Sequence, residues 1–197
     1  MQCDETHVAA FLRIACQFVR DYGMEVEGIF RRNGELEVSE EIMHSVVNGT
    51  LLEECVSTSE HDILCVCHAI KLYLQEIHLV PYSCYPQIES IQALTEFGEI
   101  SAHITETLSL LNADQFHTLK YVIEFFRDVE TYSSFNKMNH NNLLTCVILC
   151  ILPNEPNMRG TSALQFGKRA KFLSTLIRHT ELFAVVEKDS KEREFVR

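Results

Sequence analysis

The chain has 197 residues, 46% of them hydrophobic and 23% charged, which is enough apolar material for one large domain or two very small ones. Its formal net charge of -11 argues against non-specific nucleic-acid binding and against an anionic membrane surface as partner, since both need a basic face. No apolar run reaches transmembrane length, and the opening Met1-Gln2-Cys3-Asp4-Glu5 is polar and acidic, so neither a spanning helix nor a signal peptide is expected.

The first periodic segment covers residues 7–22, where Val8, Phe11, Leu12, Ala15, Phe18, Val19 and Tyr22 recur at helical spacing and Gly23 follows as a stop. A loop comes next, Glu27-Gly28-Ile29-Phe30-Arg31-Arg32-Asn33-Gly34. It sets an arginine pair between an apolar Ile-Phe step and a glycine. A guanidinium held on a loop suits contact with phosphate charge, and it suits a surface salt bridge equally well. A shorter helix is predicted over 37–47, ended by Asn48-Gly49. Ser59 then caps a helix running to about residue 77, with Ile63, Cys67, Ile70, Leu74 and Ile77 as its core stripe and Leu64, His68, Lys71 and Gln75 on the other flank.

Pro81 and Pro86 bracket a turn. Helices are predicted over 87–97 and 99–111, and Asn112-Ala113-Asp114 caps another with Phe116, Leu119, Ile123, Phe126 and Val129 as its buried stripe. A polar junction over 136–142 precedes the apolar run 143–152, and Pro153-Asn154-Glu155-Pro156-Asn157 breaks the chain. One long helix is predicted over 162–183, with a fraying charged end over 187–197. No repeat, low-complexity tract or useful strand alternation is present. The expected fold is all-α, a compact multi-helix bundle with short connections.

The eight cysteines are Cys3, Cys16, Cys55, Cys65, Cys67, Cys84, Cys146 and Cys150. Most lie in apolar periodic segments, where a reduced thiol packs as a small hydrophobe, and a chain of this length outside the small secreted class leaves them free. Zinc is the alternative at Cys65, Cys67, His68 and His61. The spacing is wrong for a knuckle, and residues 65 and 67 point to different helix faces, so no metal is expected. No glycine-rich phosphate loop, G-x-S-x-G elbow or HExxH pair occurs.

Three blocks follow one another in this pattern: Glu27-Gly28-Ile29-Phe30-Arg31, then Ile70-Lys71-Leu72-Tyr73-Leu74-Gln75-Glu76, then Asn136-Lys137-Met138 with Asn142-Leu143. In that order, over residues 5–184, they resemble the RhoGAP domain, the GTPase-activating domain for Rho-family small GTPases. The resemblance implies a single domain of the all-α RhoGAP type across the chain, with 185–197 as a charged C-terminal end, in a monomeric module of a larger protein. It makes Arg31 the catalytic arginine finger. It makes Lys71 and Gln75 part of the surface that anchors the finger loop and meets the GTPase, with Arg32 beside them. Asn142 is implied to bind across to the GTPase or its nucleotide region; an asparagine that only caps the following helix is the alternative. Arg32 also fits a simple bridge to a nearby carboxylate.

The implied partner is a GTP-bound Rho-family GTPase. No cofactor is expected in this chain, because GTP and magnesium belong to that partner. A cytoplasmic location is implied, with any membrane recruitment left to the partner or the parent protein.

Three departures from the family pattern bear on activity. The family's arginine in the second block is Gln75 here, which keeps hydrogen-bonding capacity but loses the charge and the fork. The family's proline-rich turn is replaced by Glu76-Ile77-His78-Leu79-Val80-Pro81, and its Phe-Gly-Pro-Asn by Val147-Ile148-Leu149-Cys150. Three functional classes therefore stay open: a GTPase activator, a non-catalytic module that docks a GTPase on the same face, and a helical interaction domain with no GTPase partner.

Overall fold

Four of the helices start where a side-chain oxygen takes an unpaired backbone N–H, and tertiary contacts decide several of the other boundaries. The computed structural model describes residues 1–156 and 160–195. Its helices are α1 (Ala10–Tyr22), α2 (Leu36–Val47), α3 (Leu52–Cys55), α4 (Glu60–Ile77), α5 (Tyr85–Ser90), α6 (Phe97–Leu108), α7 (Ala113–Thr131), α8 (Ser133–Asn136), α9 (His140–Ile151), α10 (Ala163–Arg178) and α11 (Glu181–Phe195). No strand occurs among the described residues, and one isolated bridge joins Cys3 to Ala9. The fold is all-α, as the periodicity predicts. Asn157 of the predicted break and residues 196–197 of the charged end lie outside the described residues.

Ser59 accepts the Asp62 N–H at the start of α4, and Asn139 accepts the Asn142 N–H at the start of α9. Asn112 with Gln115, and Ser162 with Gln165, form reciprocal capping boxes for α7 and α10. Helix α4 is the hub. It packs against α1, α2 and α9, and it buries Ile63, Leu64, Cys65, Val66, Cys67, Ala69, Ile70, Tyr73 and Leu74, far more than one amphipathic stripe. The α7 stripe of Phe116, Leu119, Ile123, Phe126 and Val129 is buried. Helix α10 packs on α5, α7 and α9, and α11 packs on α6. Among the described residues, no single helix is long and apolar enough to cross a membrane.

Four boundaries differ from the periodic reading. The first helix starts at Ala10, because Cys3 and Ala9 pair and the Ala9 N–H goes to Thr118 Oγ1 at 3.0 Å. The helix expected over 87–97 is α5 plus a tight turn over Ile91–Ala93, after which Leu94 is extended and gives its carbonyl to Lys171 Nζ at 2.6 Å. The helix expected over 99–111 starts earlier and ends at Leu108. The helix expected over 162–183 is two helices. It breaks at His179, whose ring packs on Phe97 at 4.5 Å, while Thr180 Oγ1 accepts Arg127 Nη1 at 2.7 Å. Beyond that break, α11 carries the expected fraying end as helix up to Phe195. Helices α3 and α8, one turn each, were hidden in stretches too short to show a period.

Candidate functional site

The arginine loop connects α1 to α2, and its conformation is set by what lies beneath it. Ile29 and Phe30 are both 0% exposed. The Phe30 ring meets Phe125 and Phe126 of α7 edge-on, at 5.8 and 5.2 Å between centroids. To reach that pocket, Phe30 takes a left-handed backbone with φ +63. A bulky residue there carries strain of roughly 1–2 kcal/mol. Burying the phenyl ring is worth ~1.5–3 kcal/mol, so packing outweighs the strain. Gly28 is also left-handed, with φ +75, and a Cβ there would sit 2.9 Å from Arg32 Cδ. Its carbonyl accepts both the Arg31 and the Arg32 N–H, at 3.0 and 2.8 Å. The two arginines therefore leave a closed turn whose aromatic stem is sunk in the core.

Groups from two elements, α4 and α8, hold this turn. Lys71 of α4 donates from Nζ to the Phe30 carbonyl at 3.0 Å and to Asn33 Oδ1 at 2.5 Å. His68, one turn earlier on α4, bonds the Gly34 carbonyl through Nδ1 at 3.0 Å. Burial first, and the Lys71 charge second, push the His68 pKa down, against the bond to Gly34 and the charge of Glu40. Gly34 lies so close to α4 that a Cβ would fall 2.4 Å from Cys65 Cα. From α8, the Asn136 carbonyl accepts the Gly28 N–H at 2.7 Å. Asn136 itself is fully buried. Its Nδ2 donates to the Met24 and Val129 carbonyls at 2.9 and 3.0 Å, and its Oδ1 accepts the Met138 N–H at 2.8 Å.

The two arginines part company. Arg32 Nη1 pairs with Glu60 at 2.6 Å and reaches the Glu27 carbonyl at 3.2 Å, which is the carboxylate bridge weighed above. Both partners are half exposed, so the pair adds little stability. Arg31 is exposed, and its guanidinium has no hydrogen bond or ion pair among the described residues. It acts on Cys146 of α9 electrostatically. Burial raises the Cys146 thiol, and the positive charges of Lys71 and then Arg31 pull it back.

Four of the five predicted site residues fall on one face. The charges of Lys71 and Arg31 both act on Cys146, Asn142 lies one helical turn before Cys146 on α9, and Gln75 reaches across from α4 to α9. Gln75 Nε2 is 3.8 Å from Cys150 Sγ, a weak contact for an amide. Burial holds the Cys150 thiol up at about 11. Asn142 is half-buried and donates from Nδ2 to the Lys137 carbonyl at 3.0 Å. It does not cap α9; Asn139 does. Arg32 is turned away from this group toward the start of α4.

Three residues that hold the loop were not picked out as site residues: Asn33, His68 and Asn136. Each lay inside or beside a block already quoted, but the side-chain direction of a loop or junction residue has no period to betray it. All eight cysteines are free. Cys65 Sγ lies 3.8 Å from His61 Nε2, while His68 is used by the loop. Among the described residues no group of three His, Cys, Asp or Glu side chains is placed to hold a metal ion.

This loop-on-helix arrangement is borne by a segment whose sequence matches a known family model, the RhoGAP domain, over residues 9–156. The chain belongs to the RhoGAP domain family. Rho GTPase-activating protein 22 of Mus musculus is 30% identical over 177 residues, which cover 85% of this chain and 24% of that relative. Rho GTPase-activating protein 25 of Homo sapiens is 26% identical over 193 residues, covering 93% of this chain and 29% of the relative. The chain thus spans less than a third of the length of these curated relatives. The crystal structure of human Rho GTPase activating protein 15 has the same RhoGAP fold, with a TM-score of 0.77 at 20% identity over 90% of this chain and 84% of that one.

Proposed function

We propose that this RhoGAP domain stimulates GTP hydrolysis by a Rho-family small GTPase, presenting Arg31 to the partner's nucleotide as an arginine finger. The observation that carries this reading is the contrast between the two arginines. Arg32 is engaged by Glu60 and Glu27. Arg31 is exposed and unengaged among the described residues, on a backbone held by a buried phenylalanine, Lys71 and Asn136. A group meant to enter another protein's pocket needs a fixed base and a free head.

Phosphoryl transfer to water spreads charge over the γ-phosphoryl oxygens and the leaving β-γ oxygen. A guanidinium offers several N–H donors and a charge that no physiological pH removes. Arginine fingers supplied to GTPases are worth ~10³–10⁵ in rate. GTP and magnesium are the partner's. This chain's part is to bring the cation, to exclude water and to dock along α4 and α9 through Lys71, Gln75 and Asn142. The net charge of -11 does not oppose that, because Arg31 and Lys71 make a local positive field, while Arg32 is offset by Glu60. The domain is proposed to act in the cytoplasm as one monomeric module, core 5–184, of a longer protein.

A non-catalytic docking module is the second reading, and Gln75 favours it. Its amide is spent on a thiol, where the family pattern has an arginine. Single-turnover phosphate release from Rho-, Rac- and Ras-type GTPases separates the two. Activation predicts faster hydrolysis by at least one Rho-family member, most of it lost in Arg31→Ala while binding of the GTP form persists. Binding of a GTP-form GTPase with no acceleration establishes the docking module instead. Full activity in Arg31→Ala overturns the finger assignment. A gain of rate in Gln75→Arg would show that this position limits catalysis.

A further inference from the structure

We propose that Asn33 is a positioning residue for the Arg31 loop: its side-chain oxygen takes the Lys71 ammonium as a second anchor, so that one cation clips the loop on both sides of the two arginines. The inference rests on the reading of Arg31 as the finger.

Lys71 Nζ bonds the Phe30 carbonyl at 3.0 Å, just before Arg31, and Asn33 Oδ1 at 2.5 Å, just after Arg32. An ammonium has three donors and no acceptor, on a four-carbon stem free to rotate. Held by one carbonyl alone, it could swing away from the loop. Held by two acceptors that flank the turn, it becomes a strut of fixed length. Upstream, Gly28 O takes the amides of Arg31 and Arg32 and Gly28 N is tied to Asn136 O, so the two arginine amides exchange only when the turn opens. Downstream, the held points are the Asn33 side chain, the His68 bond to Gly34 and the close approach of Gly34 to Cys65. Of these, only Asn33 acts through Lys71, which also bonds the carbonyl of the strained Phe30.

A charge-assisted hydrogen bond is about twice as strong as a neutral one, and a second acceptor on the far side of the turn restricts rotation of the Lys71 stem. Loss of the Asn33 acceptor therefore loosens the Phe30 bond as well. Arg31 then samples more orientations, which lowers the fraction of docked complexes with the guanidinium in place, while Gln75 and Asn142 of the docking surface are untouched. The residue acts through Lys71 and never touches the reacting atoms.

The test has two independent arms on the whole chain. In the first, amide hydrogen exchange at Arg31 and Arg32 is compared in the wild type, Asn33→Ala, Lys71→Met, the double variant and Asn33→Asp. Asn33→Ala should raise exchange about tenfold, the scale of one charge-assisted bond, and Lys71→Met, which loses two, should raise it further. The double variant should exceed the larger single by little, and Asn33→Asp, which keeps the acceptor, should stay at wild-type protection. In the second arm, Asn33→Ala should lower the single-turnover hydrolysis rate of a responsive Rho-family GTPase about tenfold, with a much smaller loss of affinity for the GTP form. Unchanged exchange in Asn33→Ala, or additive effects in the double variant, overturns the strut. Expected exchange with no GTPase answering the wild type leaves the strut standing and overturns the finger reading.

Discussion

Replacing Gly34 by alanine tests whether the arginine loop is pressed onto α4 as closely as the geometry implies. The added Cβ would lie 2.4 Å from Cys65 Cα, 2.5 Å from Cys65 N and 2.8 Å from Cys65 Sγ. Carbon atoms rest at about 3.5–4.0 Å, so the loop must lift by about 1 Å. Helix α4 cannot yield instead, because Cys65 is fully buried at the hub of the bundle. A lift of that size takes the His68–Gly34 bond, now 3.0 Å, beyond hydrogen-bonding range. It pulls Asn33 from Lys71 as well. Overpacking costs ~1–3 kcal/mol and a lost neutral bond ~0.5–1.5 kcal/mol, which together give ~2–4 kcal/mol.

Gly167 is the control. It lies inside α10, and a Cβ there meets nothing within 4 Å, so Gly167→Ala should gain up to ~1 kcal/mol from helix propensity. Urea unfolding at neutral pH, followed by far-UV circular dichroism, measures both variants. A loss under ~0.5 kcal/mol for Gly34→Ala would refute the close contact, since surface changes stay within that range.

Asn136→Ala should destabilise the domain by at least ~2 kcal/mol, because the Met24 and Val129 carbonyls and the Met138 amide lose their partner; the same denaturation series reads it. His68 should make stability fall on acidification. Its folded pKa lies below the ordinary value of 6.5, so the unfolded chain binds the extra proton first and stability drops as pH falls through the region just below 6.5. His68→Gln should flatten that part of the pH–stability curve, and an unchanged curve would place the dependence elsewhere. Thiol labelling should divide the cysteines: Cys3, Cys55 and Cys146 react in the native state, while buried Cys16, Cys65, Cys67, Cys84 and Cys150 wait for unfolding. Burial raises the Cys146 pKa and Arg31 opposes it, so Arg31→Ala should slow the Cys146 label further. Equal rates would mean that the guanidinium does not stand beside that thiol.

The helical class was legible because burying one face of a helix imposes a period of 3.6 on the sequence. The stripe from Phe116 to Val129 shows it. The caps at Ser59 and Asn112 were legible because a cap is a local bond between residues three apart. The three blocks also carried the family on their own. The break at His179 was not legible, since residues 162–183 stay helix-compatible throughout, and a ring contact with Phe97 and a bond from Arg127 decide the bend.

The arginine loop divides the same way. That two arginines follow a buried Ile-Phe step is a property of the sequence. Which of them is engaged is a property of the fold, because Glu60 reaches Arg32 only when the start of α4 lies beside the loop. The roles of Lys71, His68 and Asn136 likewise depend on residues tens to more than a hundred positions apart meeting around the loop from Gly28 to Gly34. Periodicity and capping are local and survive in the order of amino acids. The direction of a side chain on a turn is set by neighbours distant in the chain, and only the packed structure supplies them.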